Sequence, residues 1–155
     1  MQKYLIWLLI FVPLAATIKI TDFKNSTKYH LSTIEATFPQ ALFTCKLYGW
    51  TLATEKTAQD TANLESFLTQ SGQTSESIWL GGVYQVINEL AAKWIWIESG
   101  LELSYTNWQS GEPAFSNSTT YSTCFKKNAL SGTYSGQWYA NTCETTSYYF
   151  VCEDY

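Results

Sequence analysis

The sequence predicts an α+β domain, with two helices near its start and a largely antiparallel sheet completed after them. Three observations carry that reading. Two segments of helical periodicity lie between residues 38 and 70, short apolar runs closed by glycine follow them, and four cysteines stand outside an apolar leader. Helices that precede most strands, rather than alternating with them, argue against a parallel βαβ architecture.

The leader comes first. Lys3 precedes an apolar stretch from Tyr4 to Val12, and Pro13, Leu14, Ala15 and Ala16 follow. One positive charge, a short apolar core and small residues at its end form a signal-peptide pattern, so residues 1–16 are expected to be cleaved and 17–155 to form a single domain. An uncleaved anchor is the rival reading. No second apolar run of transmembrane length follows, so the mature chain is expected to be extracellular, with no membrane span after signal cleavage.

Beyond the leader, Ile18–Thr21 and Lys28–Ser32 alternate with a period of two and read as strands, split by the polar Asn25 segment. From Phe38 to Tyr48, Ala41, Leu42, Cys45 and Leu47 fall near one helical face, and Gly49 supplies a stop. A second helix is expected over Ala58–Gln70, where Ala58, Thr61, Leu64, Phe67 and Leu68 recur at three- and four-residue spacings before Ser71-Gly72. Ile78–Val83 and Trp94–Ile97 read as buried strands. Residues 98–123 are dominated by Ser, Thr, Asn, Gly and Tyr and predict a long irregular excursion, the kind of loop that usually carries function. Short strands return at 124–126, 137–139 and 148–152.

Composition narrows the function classes. Hydrophobic residues are 46% and charged residues 14%, below the usual quarter or so, which excludes a disordered chain. The formal charge is -4 and basic residues nowhere cluster, so a nucleic-acid footprint is missing. The four cysteines, at 45, 124, 143 and 152, read as two disulfides in a secreted chain. Zinc would need ligand pairs about two to four residues apart, and His30 is the only histidine. Three pairings are open on spacing alone. Asn25-Ser26-Thr27 and Asn117-Ser118-Thr119 are acceptor sequons for N-glycans. His30 lies in a candidate strand with no nucleophile motif around it, so it reads as a satisfied structural residue and the chain as a non-enzyme. Trp79, Trp94, Trp96, Trp108 and Trp138 read as packing residues.

The order of landmarks resembles the C-type lectin domain family. Cys45 stands in the first helix before Gly49 and Leu52-Ala53, and Ile78-Trp79-Leu80-Gly81-Gly82 resembles the family's Trp-Ile-Gly-Leu strand. Trp94 and Trp96 precede Ser99-Gly100, and Trp108-Gln109-Ser110-Gly111-Glu112-Pro113 resembles its loop motif. Cys124, Trp138, Cys143 and Phe150-Val151-Cys152-Glu153 then arrive in family order. The resemblance implies the C-type-lectin-like fold, with two helices, small antiparallel sheets and a long irregular loop region, and pairs Cys45 with Cys152 and Cys124 with Cys143. In the chain-entropy picture a loop near a hundred residues is worth about 4.7 kcal/mol and one of fifteen to twenty about 3 kcal/mol.

It also implies a sugar site built around calcium, a cation that takes about six to eight hard oxygen ligands. The family's oxygen donors come from a Glu-Pro-Asn or Gln-Pro-Asp triplet, an acid shortly before the third cysteine, and an Asn-Asp pair after the tryptophan. Here the triplet is Glu112-Pro113-Ala114, Ser122 and Thr123 precede Cys124, and Trp138 is followed by Tyr139-Ala140. A shift bringing Asn141 into register would break the spacing to Cys143. Glu112 is therefore a remnant at a loop tip, no cofactor is expected at the sugar site, and Pro113 is expected to keep the loop's shape. Tyr139, Phe115 and Tyr121 could replace the metal as an aromatic platform for a sugar ring or a protein pocket. The expected partner is a glycan bound weakly or without calcium, or, as the alternative, an extracellular protein.

Overall fold

The computed structural model describes residues 23–87, 91–114 and 122–155, with backbone alone at 86–87 and 91–92. The candidate strand Ile18–Thr21, Phe115, Tyr121 and the Asn117 sequon lie outside these residues, as does the leader.

Strand β1 (Phe23–Asn25) pairs antiparallel with β2 (Tyr29–Ser32), and β2 pairs with the last strand, β8 (Tyr149–Glu153). Helix α1 runs Phe38–Leu47 and begins with Pro39 in its first turn, where its missing N–H costs nothing. The Gln40 side chain accepts the Thr37 N–H at 3.0 Å and closes that end. Phe38, Ala41, Thr44 and Cys45 face inward, whereas Leu47 is 63% exposed. Of the face that periodicity suggested, Ala41 and Cys45 are buried and Leu42 packs half-buried on the core, and only Leu47 turns outward.

After β3 (Thr51–Leu52), α2 spans Ala58–Gln70, the range expected from its periodicity. The Thr57 hydroxyl accepts the Asp60 N–H at 3.1 Å, and the chain leaves through Gly72 at φ 72°, a left-handed conformation that suits glycine. Leu64, Phe67 and Leu68 are its buried stripe.

The strands that follow extend beyond the sequence-based bounds. β4 (Ile78–Ile87) and β5 (Ala91–Trp96) form an antiparallel hairpin, β6 (Thr123–Lys127) lies against β4, and β7 (Trp138–Thr142) pairs with β6. The path β1-β2-β8-β4-β6-β7 is not wholly antiparallel as expected. Ile78 and Trp79 pair in parallel with Tyr149 and Phe150, so the sheet is mixed. The reason is connectivity: β8 returns between β2 and β4, and being antiparallel to β2 puts it alongside β4 in the same sense.

Two packed clusters result. One lies under α1 and holds Phe38, Trp79 and Phe150 with all four cysteines. The disulfides are Cys45–Cys152, Cα atoms 5.5 Å apart, and Cys124–Cys143, 5.2 Å apart, as the resemblance implied. The second lies under α2 and the irregular excursion, around Trp96, Phe125 and Trp138. Trp79, Trp96 and Trp138 are fully buried, and the half-buried Trp94 and Trp108 pack on the second cluster, so all five serve packing.

His30 is buried on β2, stacked at 3.6 Å on Trp50, with its nitrogens 2.9 Å from the Asn25 and Asp154 side-chain oxygens. That is the satisfied strand residue expected of it. Beside it opens a polar cleft of about 440 Å³ lined in part by Lys28, Thr54, Asp60 and Glu153. Burial raises the pKa of Glu153, against the opposing pull of Thr54, whose hydroxyl donates to it at 2.6 Å, and of Lys28. The folded chain thus binds this proton more tightly than the unfolded chain does. Its contribution to stability should fall as pH rises from 4.5 through the raised value. Glu153→Gln should gain relative to the unmodified chain over that window in paired thermal melts; a relative loss would mean that Thr54 and Lys28 outweigh burial.

Candidate functional site: a strapped loop beside the edge of β7

The excursion after β5 is held down by aromatic rings. Trp108 packs edge-on to Phe125 at 4.9 Å and to Trp138 at 5.4 Å, and Trp94 lies 5.0 Å from Trp108. Aromatic pairs of this kind contribute about 0.5–1.5 kcal/mol beyond their buried area, enough to order chain that has little regular structure.

Those anchors lay the loop along the free edge of β7. Trp138 donates its backbone N–H to the Asn107 carbonyl at 2.7 Å and accepts the Gln109 N–H at 3.1 Å. The next outward N–H on that edge belongs to Ala140, and it donates to Glu112 Oε2 at 3.1 Å. The same oxygen accepts the Ala114 N–H at 2.9 Å, just past the cis peptide Glu112-Pro113. Ala114 and Ala140 are two of the positions where the family pattern set out above carries side-chain oxygen donors. Glu112 is therefore more than a remnant acid at a loop tip. It is a strap, and the amides of the substituted residues fill the role of positive partner.

Asn141, the residue that only a register shift would bring in, is engaged elsewhere. Asn141 donates its side-chain amide to the Tyr148 hydroxyl at 2.8 Å, and its oxygen accepts the Thr142 N–H at 2.7 Å. Cys124 pairs across the ladder with Asn141 and Lys127 with Trp138, so the register around the disulfide is unshifted. Among the described residues, no group of three or more His, Cys, Asp or Glu side chains could hold a metal ion. Calcium needs several converging oxygens and these residues offer one carboxylate, already bonded twice, so they do not fit the ion.

A shallow cleft of about 230 Å³ opens beside the strap, lined by Ala114, Thr123, Tyr139, Ala140, Asn141 and Thr142. Tyr139 is 37% exposed at its rim. Sequence reasoning missed Lys126, the Cα partner of Tyr139 on β6, whose ammonium lies 5.5 Å from the Tyr139 ring centroid and 5.0 Å from that of Tyr148. The signal was available: Lys126 lies two residues beyond Cys124 on one strand, so it shares that face. Burial lowers its pKa.

Comparisons with known proteins bear on the fold and the family. The family model described as the Lectin C-type domain matches residues 34–154. Tetranectin from Bos taurus is 28% identical over 139 residues, covering 88% of this chain and 64% of that protein. Collectin-10 from Gallus gallus is 29% identical over 138 residues, covering 89% of this chain and 44% of that protein. This chain thus spans less than two thirds of either relative. The carbohydrate-recognition domain of the human scavenger receptor C-type lectin superposes with a TM-score of 0.63 at 24% identity, over 86% of this chain and 95% of that one. With the family model spanning most of its length and both disulfides in place, the chain belongs to the C-type lectin domain family.

Proposed function

We propose that this chain is a secreted, non-enzymatic recognition module that binds a glycan through the cleft beside Tyr139 without calcium. The observation that carries the reading is the Glu112 carboxylate, taken up by the N–H groups of Ala114 and Ala140. With its charge committed to the loop, recognition passes to what the cleft presents: the Tyr139 ring for stacking, and the polar groups of Thr123, Asn141 and Thr142 for sugar hydroxyls. Phe115 and Tyr121, read from the sequence alone, remain further candidate contact residues in this proposal. Secretion rests on the leader pattern at 1–16 and on the paired cysteines, and no helix among the described residues is long and apolar enough to cross a membrane. Asn25, exposed on β1, and Asn117 are the proposed glycan acceptors.

One observation favours a protein ligand instead. Phe43 and Leu47, one turn apart on the outer face of α1, are 65% and 63% exposed. A glycan panel probed with calcium and again with chelator separates the readings. The proposal expects the same sugars in both conditions and their loss in Tyr139→Ala. Binding that disappears with chelator contradicts it. A blank panel, with a protein ligand lost on Phe43→Ser and Leu47→Ser, establishes the alternative.

A further inference from the structure

Lys126 is the one feature of this face that the strap and the packing leave unexplained. It sits mid-strand between β4 and β7, with Trp79 as its Cα partner on one side and Tyr139 on the other, so the three side chains form a row across one face of the sheet. Trp79 is fully buried at one end and Tyr139 is at the open end, so the lysine stem crosses from core to surface. The described contacts of its ammonium are neutral: the Ser77 hydroxyl at 2.9 Å and the faces of Tyr139 and Tyr148.

Among the described residues no Asp or Glu forms an ion pair with Lys126, and burial lowers its pKa. The sequence of residues 115–121 contains no Asp or Glu. Lys127, which is fully buried where Lys126 is half-buried, makes the contrast: it contacts both Glu55 and Glu65. Burying an ammonium without an acid is costly unless something else stabilises the charge. Ring faces supply part of that, and a polar neighbour such as Ser77 supplies more. Near the ammonium lie further groups able to donate to an anion: the Ser77 hydroxyl, and Tyr148, whose oxygen already accepts from Asn141.

We propose that Lys126, set between Tyr139 and Tyr148 beside Ser77, is the anion-binding point of the recognition face, and that the sugar it selects is acidic, bearing a carboxylate or a sulfate. This inference rests on the glycan reading given above. The sugar ring would lie against Tyr139 and its anionic group would reach Lys126, away from the Glu112 strap on the opposite edge of β7. A planar carboxylate and a tetrahedral sulfate share the chemistry needed, a compact anion with several acceptor oxygens.

The test compares glucose with glucuronic acid, and galactose with galactose sulfate, each immobilised and probed in chelator at low and high salt. The unmodified chain is expected to hold at least one acidic sugar about tenfold more tightly than its neutral parent, as one added charge-assisted hydrogen bond allows. That preference should weaken with salt. Lys126→Gln should bring acidic and neutral sugars to parity while still unfolding in one cooperative thermal transition, and Lys126→Arg should keep the preference. The glucuronate and sulfate arms then identify which anion is taken. Equal binding of neutral and acidic sugars, unaltered in Lys126→Gln, overturns this inference and leaves the glycan reading standing. Failure of the unmodified chain to hold any sugar overturns both.

Discussion

Replacing Lys127 by methionine is expected to cost about 3–5 kcal/mol of stability, because it strands a buried carboxylate. Lys127 and Glu55 are both fully buried, with Lys127 Nζ 2.9 Å from Glu55, 2.8 Å from Glu65 and 2.6 Å from the Gly136 carbonyl. The second Glu55 oxygen accepts the Trp138 indole N–H at 2.5 Å. One ammonium thus ties β6, α2, the turn before β7 and the segment after β3 beneath the recognition face. Burial already raises the pKa of Glu55 against the pull of Lys127 and Trp138, and without the lysine that carboxylate must take a proton or bring in water. Methionine fills the space of the stem, so the loss reports charge rather than volume. Urea unfolding followed by tryptophan fluorescence measures it. Adding Glu55→Gln, which keeps an acceptor for the indole, should recover most of the loss, since removing both charges of a buried pair is often near neutral. A single variant within about 1 kcal/mol of the unmodified chain, the range of an exposed pair, would mean that the ion pair is solvated.

Gly82→Ala is the second large effect, and it acts by overlap alone. Gly82 lies in β4, and a Cβ built there falls on Cε1 and Cζ of Phe125 and 2.7 Å from its Cδ1. The ring cannot retreat, because it is stacked on Trp138 at 4.8 Å and met edge-on by Trp96, at 5.5 Å, and by Trp108. Overpacking costs about 1–3 kcal/mol and occasionally more, and this site belongs at or above the upper end because three indoles would have to move with the ring. The same shift should change the near-ultraviolet circular dichroism of the cluster. Gly111→Ala, where nothing lies within 4 Å and the strain is only that of φ 87°, should be far milder. Equal losses at the two positions would mean that backbone conformation, and not the ring, decides.

The parts of this fold that were legible in the sequence have local causes. The α2 boundaries follow from Thr57 and from Ser71-Gly72, which act within one turn of the residues they cap. Buried tryptophans were legible because indoles of that size seldom find another place. On α1 only Leu47 was misjudged: it is apolar yet outward, and nothing within the helix distinguishes it from the inward Cys45; only the disulfide to Cys152 does. The parallel pairing of β4 with β8 depends on a return 71 residues along the ladder from Ile78 to Tyr149, and no periodicity encodes that. Lys126 and Lys127 look alike as neighbours in sequence, but alternation on β6 sends one toward the tyrosines and the other into the core. For the site, the missing oxygen donors at 114 and 140 were readable residue by residue. The role of Glu112 was not, because its partner on β7 is a backbone amide 28 residues away and amides leave no mark in a sequence.

The account turns on whether Glu112 serves amides or a cation, and paired thermal melts of the unmodified chain and Glu112→Ala decide it. Calcium is raised to about 10 mM, above the roughly millimolar affinities of the weakest extracellular calcium modules. The strap predicts a lower midpoint for Glu112→Ala at every calcium concentration, by a constant difference. A midpoint that climbs with calcium in the unmodified chain and stays flat in Glu112→Ala would place the ion at this carboxylate and contradict the account.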